Sequence, residues 1–235
     1  MAFFDIKKLL IPGILLFFPL SFLFSQSYRY EAGGMFGASF YSGEANRSMY
    51  HHVKGTVGGV FRYNHNFRYA AKVNLAMAGI SGNTRDYPNV FPDGQHVEFS
   101  RNLFDLGAQI EFNFFNYSDV FKYLETKTWT PYISAGLGVT FSLSPGKGAP
   151  LVAPSIPFGV GVKYKIMHRW NVGCEFSFRK TLSDRLDVVG NNPKFSLDDP
   201  YGIKSSFFKN KDWYNLTFVF ITYDFYASGG FCTGR

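Results

Sequence analysis

Two cysteines in 235 residues, Cys174 and Cys232, are too few for a structural zinc site and exclude a disulfide framework as the source of stability. Charge is scarce as well. Asp, Glu, Lys and Arg make up 17% of the chain, against roughly 25% in an ordinary soluble domain. After Phe24 no apolar run reaches the ~20 residues of a membrane-spanning helix, which excludes a helical membrane protein. There is no low-complexity tract and no internal repeat, so the chain reads as one domain.

What is abundant fits these absences. Aromatic residues reach 20% of the chain, with 28 Phe and 15 Tyr, beside 24 Gly; these are strand formers and residues that pave a membrane interface. The formal net charge of +7 is dispersed along the sequence, which suits attraction to anionic lipid head groups better than a nucleic-acid footprint. The opening MAFFDIKKLLIPGILLFFPLSFLFSQ has Lys7 and Lys8, an apolar run from Leu9 to Phe24, and the small Ser25. It reads as a secretory signal peptide, residues 1–25. Pro12, Gly13 and Pro19 break the run and argue against an anchoring helix.

An exported, aromatic-rich, charge-poor chain is expected to be all-β: an eight-stranded antiparallel up-and-down transmembrane β-barrel of an outer membrane, residues 26–226, followed by a tail, 227–235. Membrane strands run ~9–11 residues and alternate lipid-facing with lumen-facing side chains. Eight such runs can be cut: Tyr28 to Ser42, Thr56 to Tyr63, Arg68 to Ser81, Val97 to Asn113, Pro131 to Ser142, Ser155 to Lys165, Trp170 to Thr181 and Trp213 to Tyr226. In the seventh, Trp170, Val172, Cys174, Phe176 and Phe178 share one face, and Asn171, Gly173, Glu175, Ser177 and Arg179 the other. The eighth is apolar on both faces, so its register stays open, although Asp224 should avoid lipid.

Connections alternate in length. Tight turns at 63–67 and 166–169 contrast with long links around Glu44 to Gly55, Gly82 to His96, Leu143 to Pro154 and Leu182 to Asp212. Short periplasmic turns and long outer loops are the asymmetry of such barrels, which puts both termini in the periplasm. The link from Asn116 to Thr130 is long for that side, with room for a short helix.

The inward set includes Glu31, Asp105, Glu111 and Glu175 against Arg62, Lys72, Lys163 and Arg179. Buried charges persist when paired, so these eight are expected to form a network filling the lumen, not a diffusion channel. No catalytic, cofactor or metal constellation emerges. His51, His52 and His96 fall toward the outer rim, where lipid A modifying barrels place chemistry, but no Ser sits at alternating spacing to serve as a nucleophile held by its base. The strings GLGV and GVGV lack the helix a phosphate loop requires.

The stretch YEAGGMFGASFYSGEAN, with Glu31, Gly33, Gly37, Tyr41, Gly43 and Glu44, resembles the first-strand signature of the PorG-like barrels of Bacteroidota. The likeness continues through FRYNHNFRYAAKVNLAMAGISGN, FDLGAQIEFNFF, TPYISAGLGVTFSLSP, IPFGVGVKYKI and RKTLSDRLDVVG. The family's last outer loop reads Asp-Tyr-Leu-Asp-Asp; Asp184 and Asp187 keep two of its acids, and Val188 replaces the third. The resemblance implies a non-enzymatic outer-membrane component of the type IX secretion system, which exports cargo and gliding adhesins. Such a barrel would dock the periplasmic ring built from a lipoprotein and its partner, the PorK and PorN type subunits. Alternatives from other classes are a lipid A modifying enzyme and a structural or adhesive barrel.

For the docking reading the candidate periplasmic contacts are Asn64, His65, His168, Arg169, Lys122 and Cys232. Reaching Cys174 on the lipid face would drag unpaired tail backbone into hydrocarbon, at several kcal/mol per group. In an oxidising periplasm a leftover thiol points instead to an intermolecular disulfide, here with a ring subunit, and Gly229, Gly230 and Gly234 give the flanks freedom to dock.

Overall fold

A computed structural model of the chain describes residues 28–42, 50, 52–83, 98–119, 125–142, 151–182 and 213–227. The signal peptide assigned from sequence, and the tail beyond Ala227, lie outside these residues. Eight strands follow in order: β1 (Tyr28–Ser42), β2 (Lys54–Asn64), β3 (Tyr69–Asn83), β4 (Glu98–Asn113), β5 (Trp129–Ser142), β6 (Leu151–Met167), β7 (Trp170–Thr181) and β8 (Trp213–Ala227). Each pairs antiparallel with the next, and β8 returns to β1, closing the barrel. Closure satisfies every edge, the only way a sheet can cross lipid.

β1 and β7 have the limits the alternation predicts. Others extend further, and proline accounts for the largest difference. Pro154 looks like a stop, yet β6 begins at Leu151. Residues 151–153 pair with β5 alone, and the β7 ladder starts at Ser155; the Pro154 carbonyl accepts from the Leu182 amide at 2.9 Å just past the end of β7, so the proline sits at the end of that ladder, where its missing N–H interrupts no pairing within it. The β5–β6 ladder lapses between Phe158 and Ser155, around Pro157, and resumes in the same register. Gly55, Gly82 and Pro154, read as loop, are strand residues.

The polarity of the barrel is inside out. Leu137 and Val152 are each 72% exposed, and Ile110, Phe36 and Val160 also face outward. Glu31, Arg62, Lys72, Asp105, Glu111, Lys163, Glu175 and Arg179 are buried. Lipid as the surrounding solvent explains both facts. Aromatic clusters ring the exterior: Tyr30 packs on Tyr63 and Phe225 at 5.5 and 5.8 Å, and Trp170 on Tyr223 at 5.2 Å, near the chain ends. Phe104 stacks on Phe141 at 5.4 Å toward the other end.

The structure resolves the register of β8. Tyr214, Leu216, Phe218, Phe220, Thr222 and Asp224 are buried, and Val219, Ile221, Tyr223 and Phe225 are exposed. From Tyr214 to Phe220 its inner face is apolar because it joins the apolar cluster of the lumen, with Tyr41, Ile80, Leu103 and Ala153. On the outer wall Tyr50 lies 4.8 Å from the Phe40 ring and its hydroxyl is 3.1 Å from Thr217 Oγ1.

Candidate functional site: a filled lumen and an interlocked terminal face

Period-two alternation brings the inward charges of six strands to one level. Arg62 on β2 faces Glu31 on β1 and Lys72 on β3 in register. Its guanidinium donates to Glu31 Oε1 at 2.6 Å and to Glu111 Oε1 at 2.9 Å. Glu111 on β4 is the hub, because Lys163 Nζ donates to its Oε2 at 2.8 Å and Lys72 Nζ lies 3.3 Å from Oε1. Lys72 also donates to Glu175 at 2.6 Å, as does the Tyr132 hydroxyl, and Thr222 donates to Glu31.

This layer therefore holds Glu31, Glu111 and Glu175 against Arg62, Lys72 and Lys163 and is neutral. Aromatic faces take the remaining cation surface: Arg62 sits 4.3 Å from the Phe220 centroid and Lys163 4.7 Å from that of Tyr132, a further attraction where water is excluded. Toward the outer half, Asp105 accepts from Tyr214 at 2.6 Å, Asn74 at 2.9 Å and Arg179 Nε at 3.4 Å. Nearer the chain ends, Lys165 donates to Asp224, which also accepts from Asn171 at 2.7 Å.

Sequence reading names the eight charges of the first two groups but misses the Lys165–Asp224 pair. Parity does place Lys165 inward, two residues beyond Lys163 on the same face, but parity within one strand names no partner. Asp224 is buried, as its charge requires, but in sequence the apolar run around it leaves the register of β8, and so its partner, open.

β1 begins and β8 ends at the same end of the barrel, here called the terminal face. Its three connections are bound to one another. In the β2–β3 turn Asn66 Oδ1 accepts from the amides of Arg68 and Tyr69 at 2.9 and 2.7 Å, a side chain closing its own turn. Arg68 Nε then donates to Asn116 Oδ1 at 3.0 Å, and the Tyr117 amide to Phe67 O at 3.3 Å. His168 Nδ1 lies 2.9 Å from Asp119 Oδ2, tying the β6–β7 turn to the same connection. That turn closes on Arg169 at φ 77°, and Arg169 Nη1 donates to the Tyr223 hydroxyl at 3.2 Å.

Of the candidate contacts, Asn64, His65, His168 and Arg169 are at this face, with His65, His168 and Arg169 exposed. Lys122, Cys232, Asp184 and Asp187 lie outside the described residues, as do His51 and His96. The described parts of the β4–β5 connection run side by side, and residues 120–124, where a short helix has room, lie outside the described residues. Tyr117 and Lys127 form a bridge, with the Lys127 amide donating to Asn116 O at 2.8 Å. Among the described residues Cys174 is a free, exposed thiol on the outer wall.

A closed eight-stranded sheet with an apolar exterior and a charge-paired interior defines a transmembrane β-barrel. The chain belongs to the family described as a domain of unknown function, DUF6089, whose model matches residues 7–234. No curated protein matches it. Among solved structures it is similar to the N-terminal β-barrel domain of Pseudomonas aeruginosa OprF, with 12% identity over 85% of this chain and 100% of that one and a TM-score of 0.47. Neisserial surface protein A is similar at 14% identity over 83% and 97%, with a TM-score of 0.47. Ail of Yersinia pestis is similar at 10% identity over 86% and 100%, with a TM-score of 0.42. At these TM-scores the likenesses carry nothing about function.

Proposed function

We propose that this barrel is a non-enzymatic outer-membrane component of the type IX secretion system, docking the periplasmic lipoprotein ring through its terminal face. The observation that carries the reading is the pairing of a filled lumen with interlocked connections: the interior is occupied by side chains, while Arg68, Asn116, Asp119 and His168 hold three turns together. A surface already ordered loses little entropy on binding. The resemblance of Tyr30 to Asn46 to PorG-like barrels supplies the identity of the partner. On this reading both termini are periplasmic and Cys232 forms a disulfide with a ring subunit.

Affinity purification after mild solubilisation tests it. Wild-type barrel retains the ring lipoprotein. A variant with His65→Glu, Arg68→Glu and Arg169→Glu retains at least about tenfold less, equivalent to ~1.4 kcal/mol, while still forming a heat-modifiable barrel. Recovery of the barrel without ring subunits, together with normal secretion by a deletion strain, would overturn the reading. The disulfide is checked separately on non-reducing gels: Cys232→Ser should abolish the high-mass band, and an unchanged band removes that part of the proposal.

A further inference from the structure

One side chain of the β4–β5 connection turns away from the terminal face into the barrel. Tyr117 is 5% exposed. Its hydroxyl donates to Asn171 Oδ1 at 2.7 Å, and the same oxygen accepts from Lys165 Nζ at 2.9 Å. The ammonium groups of Lys165 and Lys163 sit 5.2 and 5.6 Å from its ring centroid. Lys163 is the cation that donates to Glu111, so the Tyr117 ring caps the neutral charge layer from the side of the chain ends. Burial first, and then the charge of Glu31, push the Tyr117 hydroxyl well above the usual phenol range. It stays protonated and keeps donating at any pH the barrel meets.

The outer side of the charge layer is covered differently, by the buried Asp105–Arg179 pair and the apolar residues Tyr41, Ile80, Leu103 and Leu216. Ion pairs in a dry interior attract far more strongly than in water, so the layer depends on exclusion of water at both ends. We infer that Tyr117 is the inner seal of the lumen, the residue that keeps water from the charge layer at the terminal face. Its flanking residues, Asn116 and Asp119, are those gripped by Arg68 and His168. If the docking reading above holds, a partner on that face holds the connection on both sides of the seal, linking docking to lumen hydration.

Ser134 provides a reporter. It is buried at the level of Glu111, its register partner, and its hydroxyl has no hydrogen-bond partner among the described residues, so Ser134→Cys removes none of the described hydrogen bonds. In a Cys174→Ser, Cys232→Ser background, the purified barrel in detergent is treated with a charged, water-soluble methanethiosulfonate. With Tyr117 present the reporter should stay essentially unmodified. Tyr117→Ala should raise its rate at least about tenfold, the factor given by ~1.4 kcal/mol of easier local opening. Tyr117→Phe should keep the rate low, because the ring under the two lysines remains. Equal rates with and without the Tyr117→Ala substitution, or rapid modification with Tyr117 in place, would overturn the assignment. Heat-modifiable migration establishes that each variant is folded. Should the alanine variant not fold, Tyr117→Leu, which cannot hold the two ammonium groups, carries the same expectation and the same refutation. No partner is present in this experiment, so the seal can fail while docking stands, and the reverse.

Discussion

Glu111→Gln is expected to lower the unfolding free energy of the barrel by about 3–5 kcal/mol, the range for breaking a buried ion pair from one side. Glu111 contacts Arg62, Lys72 and Lys163, all buried. Removing its charge leaves the layer with an excess of one buried cation. Glu175→Gln is the informative comparison, since among the described cations Glu175 contacts only Lys72, and it keeps the Tyr132 hydroxyl as a neighbour; it should cost distinctly less. Urea titrations in lipid vesicles, read by the gel shift between folded and heated forms, give both values. A Glu111→Gln midpoint equal to wild type would mean that the lumen is hydrated and its ion pairs are screened.

The second large effect concerns closure. At Gly33 an added Cβ would lie 2.6 Å from Thr222 Cα and also meet Ile221 O, both backbone atoms of β8. Side-chain rearrangement cannot relieve such a contact, so the β1–β8 seam itself must shift. Gly33→Val should destabilise by about 3 kcal/mol, the upper range for overpacking, and slow assembly. Gly34, the next residue, points outward, with its nearest non-neighbour atom, Gly58 O, at 3.9 Å from an added Cβ. Gly34→Ala should stay within about 0.5 kcal/mol of wild type, as surface changes do. The heat-modifiable fraction after refolding checks both, and equal yields for the two variants would show that the seam is not tight at Gly33.

Much of this architecture is legible in the order of residues. Trp170 to Thr181 alternates so regularly that both strand limits and the facing of Cys174 and Glu175 follow from period two. The same parity selects Glu31, Arg62, Lys72, Asp105, Glu111, Lys163, Glu175 and Arg179, which are buried and paired. Legibility fails where polarity does not alternate. β8 places Leu216, Phe218 and Phe220 inside and Val219 and Ile221 outside, and hydrophobicity cannot tell a residue facing lipid from one facing an apolar layer of the lumen. It fails again at proline, since whether Pro154 ends a strand depends on which neighbour lies beside it.

By itself the sequence determined the strand count, the inward charge set and the inside-out polarity, because a two-residue period writes the two faces of a strand into the order of residues. Only the tertiary structure decided which charge meets which. Glu111 becomes a hub because shear and closure bring β2, β3 and β6 cations to its level, and Tyr117 becomes part of the lumen because an irregular connection turns inward. Neither follows from order along the chain: partners 49 and 52 residues from Glu111 are chosen by the register of a closed sheet, which no local pattern encodes.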